Sequence, residues 1–356
     1  MIKHSTLANE YAEKFRYTGD TLRTQSVGDE ARTDKIRGQF FHDGLFLSPS
    51  VTPDLAKRLD VVCKRLNIED DAVDAFIYAS PNIQAECFAS SSSKCIIRFS
   101  SSLIDLLDPD EFEFVVGHEL AHFLLNHGLV RMEQERRSVE FAIESRAQEI
   151  SADRLGFIAC QSLDIAIRAL MKTVSGLSSE HLRFDVGAFI SQLQNAPEAI
   201  KIESSFASHP SILIRCRALL WFSMSDLSSC NRDHFSKEEK LKIDKNIQRD
   251  MDKFIDGPAK LIIEEAKENL AIWIAANHAV QDGAFDKNDQ SSIAEMFGDD
   301  VLEKLKGFIS DIPHSEVQDT VYQRMKVARE ELELLIPSSL ENTVRKIHQK
   351  IESKFI

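Results

Sequence analysis

Val115-Val116-Gly117-His118-Glu119-Leu120-Ala121-His122-Phe123-Leu124-Leu125 sets two histidines four positions apart, with a glutamate after the first, inside an apolar run. On a helix, positions i and i+4 share a face, so His118 and His122 can hold one metal ion together. Glu119 can face the same metal and take a proton from water there. The His-Glu-x-x-His spacing alone recurs by chance in roughly a few per cent of chains this long. Its surroundings set it apart. Asp108-Pro109-Asp110-Glu111 supplies an N-cap, a proline at the first helical position and acids in the first turn. Phe112, Val115, Val116, Leu120, Phe123 and Leu124 recur at helical spacing, which predicts a buried helix of about five turns. His127-Gly128 predicts a glycine stop.

A catalytic zinc wants three protein ligands and one open position. The next candidate is on Glu140–Gly156, a second helical stretch rich in Glu, Ala and Arg. Glu149 and Asp153 are i and i+4, so both carboxylates point the same way. Glu149 reads as the third ligand, and Asp153 as the acceptor that orients a ligand histidine through its free ring N–H. A solvated acidic face is the commoner meaning of such a pair, but the upstream motif favours the metal. Ala152 is small enough to let two helices approach closely beside that metal. Leu125 and Gly128 stand where a metzincin pattern needs other residues, so the third ligand is an acid on a separate helix.

Three blocks now stand in order. They are Phe114-Val115-Val116-Gly117-His118-Glu119-Leu120-Ala121-His122, then Ser145-Arg146-Ala147-Gln148-Glu149-Ile150-Ser151-Ala152-Asp153-Arg154, then Ser208-His209-Pro210 with Arg215 six residues after His209. Together they resemble the HtpX/CAAX-prenyl-endopeptidase family of zinc metallopeptidases, over residues 35 to 225. The resemblance implies a gluzincin fold and zinc-dependent endopeptidase activity, with His118, His122 and Glu149 as ligands of Zn2+. It also implies Glu119 as general base and His209 as stabiliser of the tetrahedral intermediate, with Arg215 nearby. Alone, His209-Pro210 would mark a helix start, and Arg215 a salt-bridging residue on the helix Ser211–Trp221.

Upstream, Asp74–Ser80, Gln84–Ala89 and Cys95–Phe99 read as short strands, with Ser90–Lys94 a hairpin loop between the last two. Metallopeptidases commonly bind an extended peptide along such a strand. The family usually has Asn-Ala-Phe-Ala here, where this chain has Glu86-Cys87-Phe88-Ala89. That departure touches the substrate side. Cys87 reads as a small strand residue, with a thiol ligand or redox switch as alternatives.

A length of 356 residues suits about two domains. No run approaches the roughly eighteen apolar residues that span a bilayer, and Met1–Lys14 lacks the apolar core of a signal peptide. Many family members carry membrane helices or export signals, so a membrane-protein substrate does not carry over. Cysteines 63, 87, 95, 160, 216 and 230, none in Cys-x-x-Cys spacing, suggest reduced thiols and a cytoplasmic location. The net charge of −14 argues against nonspecific nucleic-acid binding.

Beyond residue 225 the pattern is helical: residues 261–280, 293–309, 317–336 and 340–356 are amphipathic. Asp282-Gly283-Ala284-Phe285-Asp286 between two helices resembles TerB-like helical domains. It is out of register for a calcium loop, so an acidic connecting loop is expected. The first 35 residues are either a mobile arm or plug over a cleft, or a helix and loop packed on the catalytic domain.

The expectation is therefore an α+β protein. It comprises an arm over 1–35, a gluzincin-type zinc metallopeptidase domain with a small mixed sheet over 36–225, and an all-α accessory domain over 226–356. Its substrate is a protein or peptide, and the helical domain is the place for a regulatory partner. The alternatives are a regulatory or binding protein with a latent or structural zinc site, which the intact Glu119 disfavours, and a zinc aminopeptidase, which would need an amine-recognition motif that is not seen.

Overall fold

Strands β1 (Leu45–Phe46), β2 (Val73–Tyr78), β3 (Ala85–Ala89) and β4 (Cys95–Ser100) form one mixed sheet in the order β1-β2-β4-β3. This comes from a computed structural model that describes residues 5–20, 30–69, 71–89, 94–127, 137–191, 210–225, 236–281 and 285–355. β4 pairs parallel with β2, with Ala75 opposite Ile97, and antiparallel with β3, with Cys87 opposite Ile97. Three strands lie within a residue or two of their predicted positions. β1, at two residues, is too short to leave a period. Ser90–Ser93 of the hairpin loop lie outside the described residues.

The central strand is the buried one. Cys95, Ile96, Ile97 and Phe99 are all buried, and Phe99 meets Phe112 edge-on at 5.0 Å. That contact seats the sheet on helix α5 (Pro109–Leu124); helices α1 to α4 are Ser5–Glu13, Glu30–Asp43, Pro53–Arg65 and Ser101–Leu106. Among the described residues β3 is an edge strand, with one side of its backbone unpaired.

α5 starts as its sequence requires. Pro109 takes the first helical position, and the Asp108 N–H donates to Glu111 Oε2 at 2.8 Å. Glu111 is itself buried, and Lys172 Nζ neutralises it at 2.6 Å. The other end differs from expectation. The cap is Leu125, and Asn126 adopts φ 58, the left-handed conformation that asparagine tolerates. His127 N–H donates to His122 O at 2.8 Å and Asn126 N–H to Phe123 O at 3.2 Å, a Schellman closure. Asparagine does here what Gly128, outside the described residues, was expected to do.

Helix α6 (Val139–Cys160) crosses α5 closely. A Cβ on Gly117 would stand 2.4 Å from Ala159 Cβ, and one on Gly156 would stand 2.9 Å from the Phe114 carbonyl oxygen. Ala152 is buried too, but the close approach is one to two turns further on, at Gly156 and Ala159. Gly156→Ala is expected to destabilise the chain by ~1–3 kcal/mol, because the clashing atom is backbone and cannot swing aside. Urea unfolding measures this, and an unchanged midpoint would contradict the packing.

The described chain groups into two units. Of the described residues, the first holds those up to 127, 144–191, 210–225 and 236–254; the second holds 137–143, 255–281 and 285–355. In the first, helices α7 (Leu163–Ser175), α8 (Val186–Ser191), α9 (Ile212–Ser223) and α10 (Lys237–Met251) complete the fold. Tyr17 Oη donates to Gln248 Oε1 at 2.8 Å, and buried Arg154 pairs with Asp244 of α10 at 2.5 Å. The five described cysteines are free thiols.

In the second unit, α11 (Gly257–Ala279), α12 (Lys287–Phe297), α13 (Asp299–Ser310), α14 (Val317–Leu335) and α15 (Leu340–Glu352) surround a core that includes Leu270, Ile274, Val321 and Leu332. The Asp286 carboxylate caps α12, accepting from Asn288 N–H at 2.7 Å and Asp289 N–H at 2.9 Å. Residues 282–284 lie outside the described residues. Among the described residues, no helix is long and apolar enough to cross a membrane.

Candidate metal centre

His118 and His122, one turn apart on α5, meet Glu149 of α6, and one ligand atom from each lies within 4.8 Å of the other two. Nε2 of His118 is 3.2 Å from Nε2 of His122 and 3.5 Å from Oε2 of Glu149, and Nε2 of His122 is 3.5 Å from Oε1 of Glu149. Ligand atoms around a tetrahedral zinc stand about 3.3 Å apart, so these separations are close to those of a zinc site. The donor set of two imidazoles and a carboxylate suits zinc as well. The residues fit the metal.

Asp153, one turn beyond Glu149, accepts from His118 Nδ1 at 3.0 Å. That leaves Nε2 of His118 as the ring atom available to a metal. Arg215 of α9 donates to Asp153 from Nε at 2.8 Å and pairs with Glu149 through Nη1 at 3.2 Å. One guanidinium thus ties together the two carboxylates of α6. Burial would raise the Asp153 carboxyl, but Arg215 outweighs it and holds the group below its ordinary range. Burial and the neighbouring imidazoles hold His122 well below its usual value, in the neutral form a ligand needs. For His118, burial opposes protonation, but Glu149 and Asp153 outweigh it and raise its pKa. A dication would supply the positive charge those carboxylates call for.

Glu119 lines a cleft of about 660 Å³ together with His118, His122, Glu149 and Arg215. Burial pushes its carboxyl up to about 7. No hydrogen bond or ion pair ties the carboxylate among the described residues. The cleft continues along Gln84 and Ala85 at the start of edge strand β3, and along Pro210. Ser211 caps α9, accepting from Ile214 N–H. His209 lies outside the described residues. Glu86 is paired with Arg98 at 2.5 Å, and Cys87 Sγ lies 3.4 Å from Cys95 Sγ, so neither belongs to the metal cluster.

One contact escaped the sequence reading. Nδ1 of His122 lies 3.0 Å from Nδ1 of His127, which had been read only as part of a helix stop. The signal was there in part: with Asn126 as the left-handed residue, the chain turns back and brings His127 against His122.

The model for Peptidase family M48 matches residues 49–144 and 138–221, which include the three ligand candidates, Glu119, Asp153 and Arg215. The plastoglobule-localized metallopeptidase 48 of Arabidopsis thaliana chloroplasts is 26% identical over 211 residues, 51% of this chain and 60% of that protein. The metalloprotease YcaL of Escherichia coli K12 is 28% identical over 174 residues, 43% of this chain and 64% of its own length. LoiP, a metalloprotease of the same organism, is 29% identical over 105 residues, 29% of this chain and 37% of its own. The chain therefore spans at most about two thirds of these relatives, 64% at best. No solved structure matches it. The family match ends at residue 221, so the likeness to TerB-like domains rests on the sequence alone.

Proposed function

Residues 49–221 belong to peptidase family M48, and from that premise we propose that the chain is a zinc-dependent endopeptidase of gluzincin type, with Glu119 as its general base. The observation that carries the reading is the cluster of His118, His122 and Glu149 beside Glu119, which no hydrogen bond or ion pair ties among the described residues, in an open cleft. When bound there, zinc supplies Lewis-acid polarisation of the substrate carbonyl and acidifies water.

The protein's own groups do the rest. Asp153 holds His118 in one tautomer and orientation. Arg215 neutralises part of the charge on Asp153 and Glu149, so that the ligand cluster tolerates burial before any metal arrives. Glu119 accepts the proton of the attacking water and returns it to the leaving amine, the two duties of one general acid–base. Edge strand β3 offers its free backbone to an extended substrate, which would pair with it beside the cleft. His209 is assigned as donor to the developing oxyanion. Its support is the sequence and its neighbour Pro210, which lines the cleft. The second unit, with a core of its own, is assigned to regulation through a partner.

The comparison that tests the reading is proteomics of cells expressing wild type against Glu119→Gln, scored for new protein termini. A pH profile gives a second check. Glu119 must be ionised to act, so kcat/KM falls as pH drops through its pKa. Burial, partly offset by His118 and Arg215, brings that value to about 7, and a nearby dication draws it lower. The acid limb is thus expected below pH 7, and a limb above it would exclude Glu119 as the base.

A further inference from the structure

His122 is held from behind by groups far away in the chain. Its Nδ1 meets Nδ1 of His127 at 3.0 Å, and Nε2 of His127 meets Oδ2 of Asp20 at 2.9 Å. The His127 side chain is 2% exposed and that of Asp20 is 0% exposed, so water cannot replace either partner. The same Asp20 oxygen accepts from Ser151 Oγ at 2.8 Å and lies 2.9 Å from Arg16 Nη1. Ser151 lies on α6 between Glu149 and Asp153. Arg16 also donates to the carbonyl of Leu125, the cap of α5, at 2.7 Å. Both helices that carry ligands are thereby tied to residues 16–20.

Proton placement along this line allows one arrangement. A neutral imidazole has one N–H donor and one acceptor nitrogen. With Nε2 of His122 turned to the metal, its proton is on Nδ1 and points at His127. Nδ1 of His127 must accept, which puts that ring's proton on Nε2, facing Asp20. A carboxylate only accepts, so every contact has one donor and one acceptor.

We infer that His127 and Asp20 are positioning residues of the metal site, holding His122 in its Nε2-ligating tautomer and ring orientation as Asp153 does for His118. The N-terminal segment is then a working part of the centre, through Asp20. This rests on the metal-site reading above.

The test uses the 356-residue chain. Zinc affinity is measured by competition with a chromophoric chelator, the visible absorption of the Co2+-loaded protein is recorded, and metal-free melting temperatures report the fold. His127→Phe keeps a flat aromatic ring, somewhat larger than imidazole, but has no acceptor, and it is expected to weaken zinc binding ~10–100-fold and to shift the cobalt bands. Asp20→Asn is isosteric and is expected to weaken it by about tenfold, the low end for such partners. His127→Asn can set its amide oxygen where Nδ1 stood, so it should bind zinc more tightly than His127→Phe, although it packs worse. A purely structural role would order those two variants the other way. Affinity and cobalt spectrum unchanged in Asp20→Asn and His127→Phe would overturn the inference, as would His127→Asn binding no better than His127→Phe. If His127→Phe does not fold, the isosteric Asp20→Asn decides alone. Wild type that binds no zinc would overturn the metal-site reading itself, and the relay with it.

Discussion

Glu119→Gln should lower peptide hydrolysis by ~10²–10⁴-fold, the usual contribution of a positioned general base, while leaving zinc stoichiometry at the wild-type value. The two halves of that result follow from different atoms. The proposed ligand set is His118, His122 and Glu149 and does not include Glu119. Glutamine keeps the volume and the oxygen acceptor but takes no proton at neutral pH. The Glu119 side chain is free of partners among the described residues, so its replacement disturbs no ion pair and stability should change little. Purified variant and wild type, compared for metal content and for cleavage of an unfolded protein, read both quantities. Undiminished cleavage by the variant would remove Glu119 from the mechanism. Lost zinc would mean that the carboxylate serves the site in another way.

Arg215→Met should cost about 3–5 kcal/mol of metal-free stability at neutral pH, the range for removing one partner from a buried ion pair. Arg215 pairs with both Glu149 and Asp153, and the Asp153 side chain is 1% exposed. Methionine fills the stem's volume but leaves two carboxylates to be buried together. The sign with pH follows from Asp153, whose pKa is lowered in the folded chain chiefly because Arg215 outweighs burial. A depressed carboxyl contributes stability that is present above its unfolded pKa and lost as pH falls through the folded one. The gap between wild type and variant should therefore be full near pH 7 and close below about pH 4, where an ordinary aspartate protonates. Urea unfolding at both pH values, with chelator present, measures it. A gap independent of pH would point to lost packing instead of lost charge pairing.

Much of the site was legible because its spacing is local. Helical periodicity, the Asp108–Glu111 start and the i, i+4 pairs His118/His122 and Glu149/Asp153 are all set within one or two turns. The end of α5 was misread by two residues, since Asn126 takes the left-handed position as well as the expected Gly128 would. The partners of Arg215 were not legible at all. They lie 62 residues away for Asp153, and no periodicity relates the two positions.

The amino-acid sequence by itself determined which helices form, which faces they bury and that two histidines and two acids share the right spacings. These follow from backbone geometry and side-chain size, which act between neighbours. Only the tertiary structure decided which buried charge answers which: Asp153 with His118 and Arg215, and Asp20 with His127 across 107 residues. The reason is electrostatic. A buried carboxylate must find a donor wherever the packed chain brings one, and packing, not sequence distance, sets where that is.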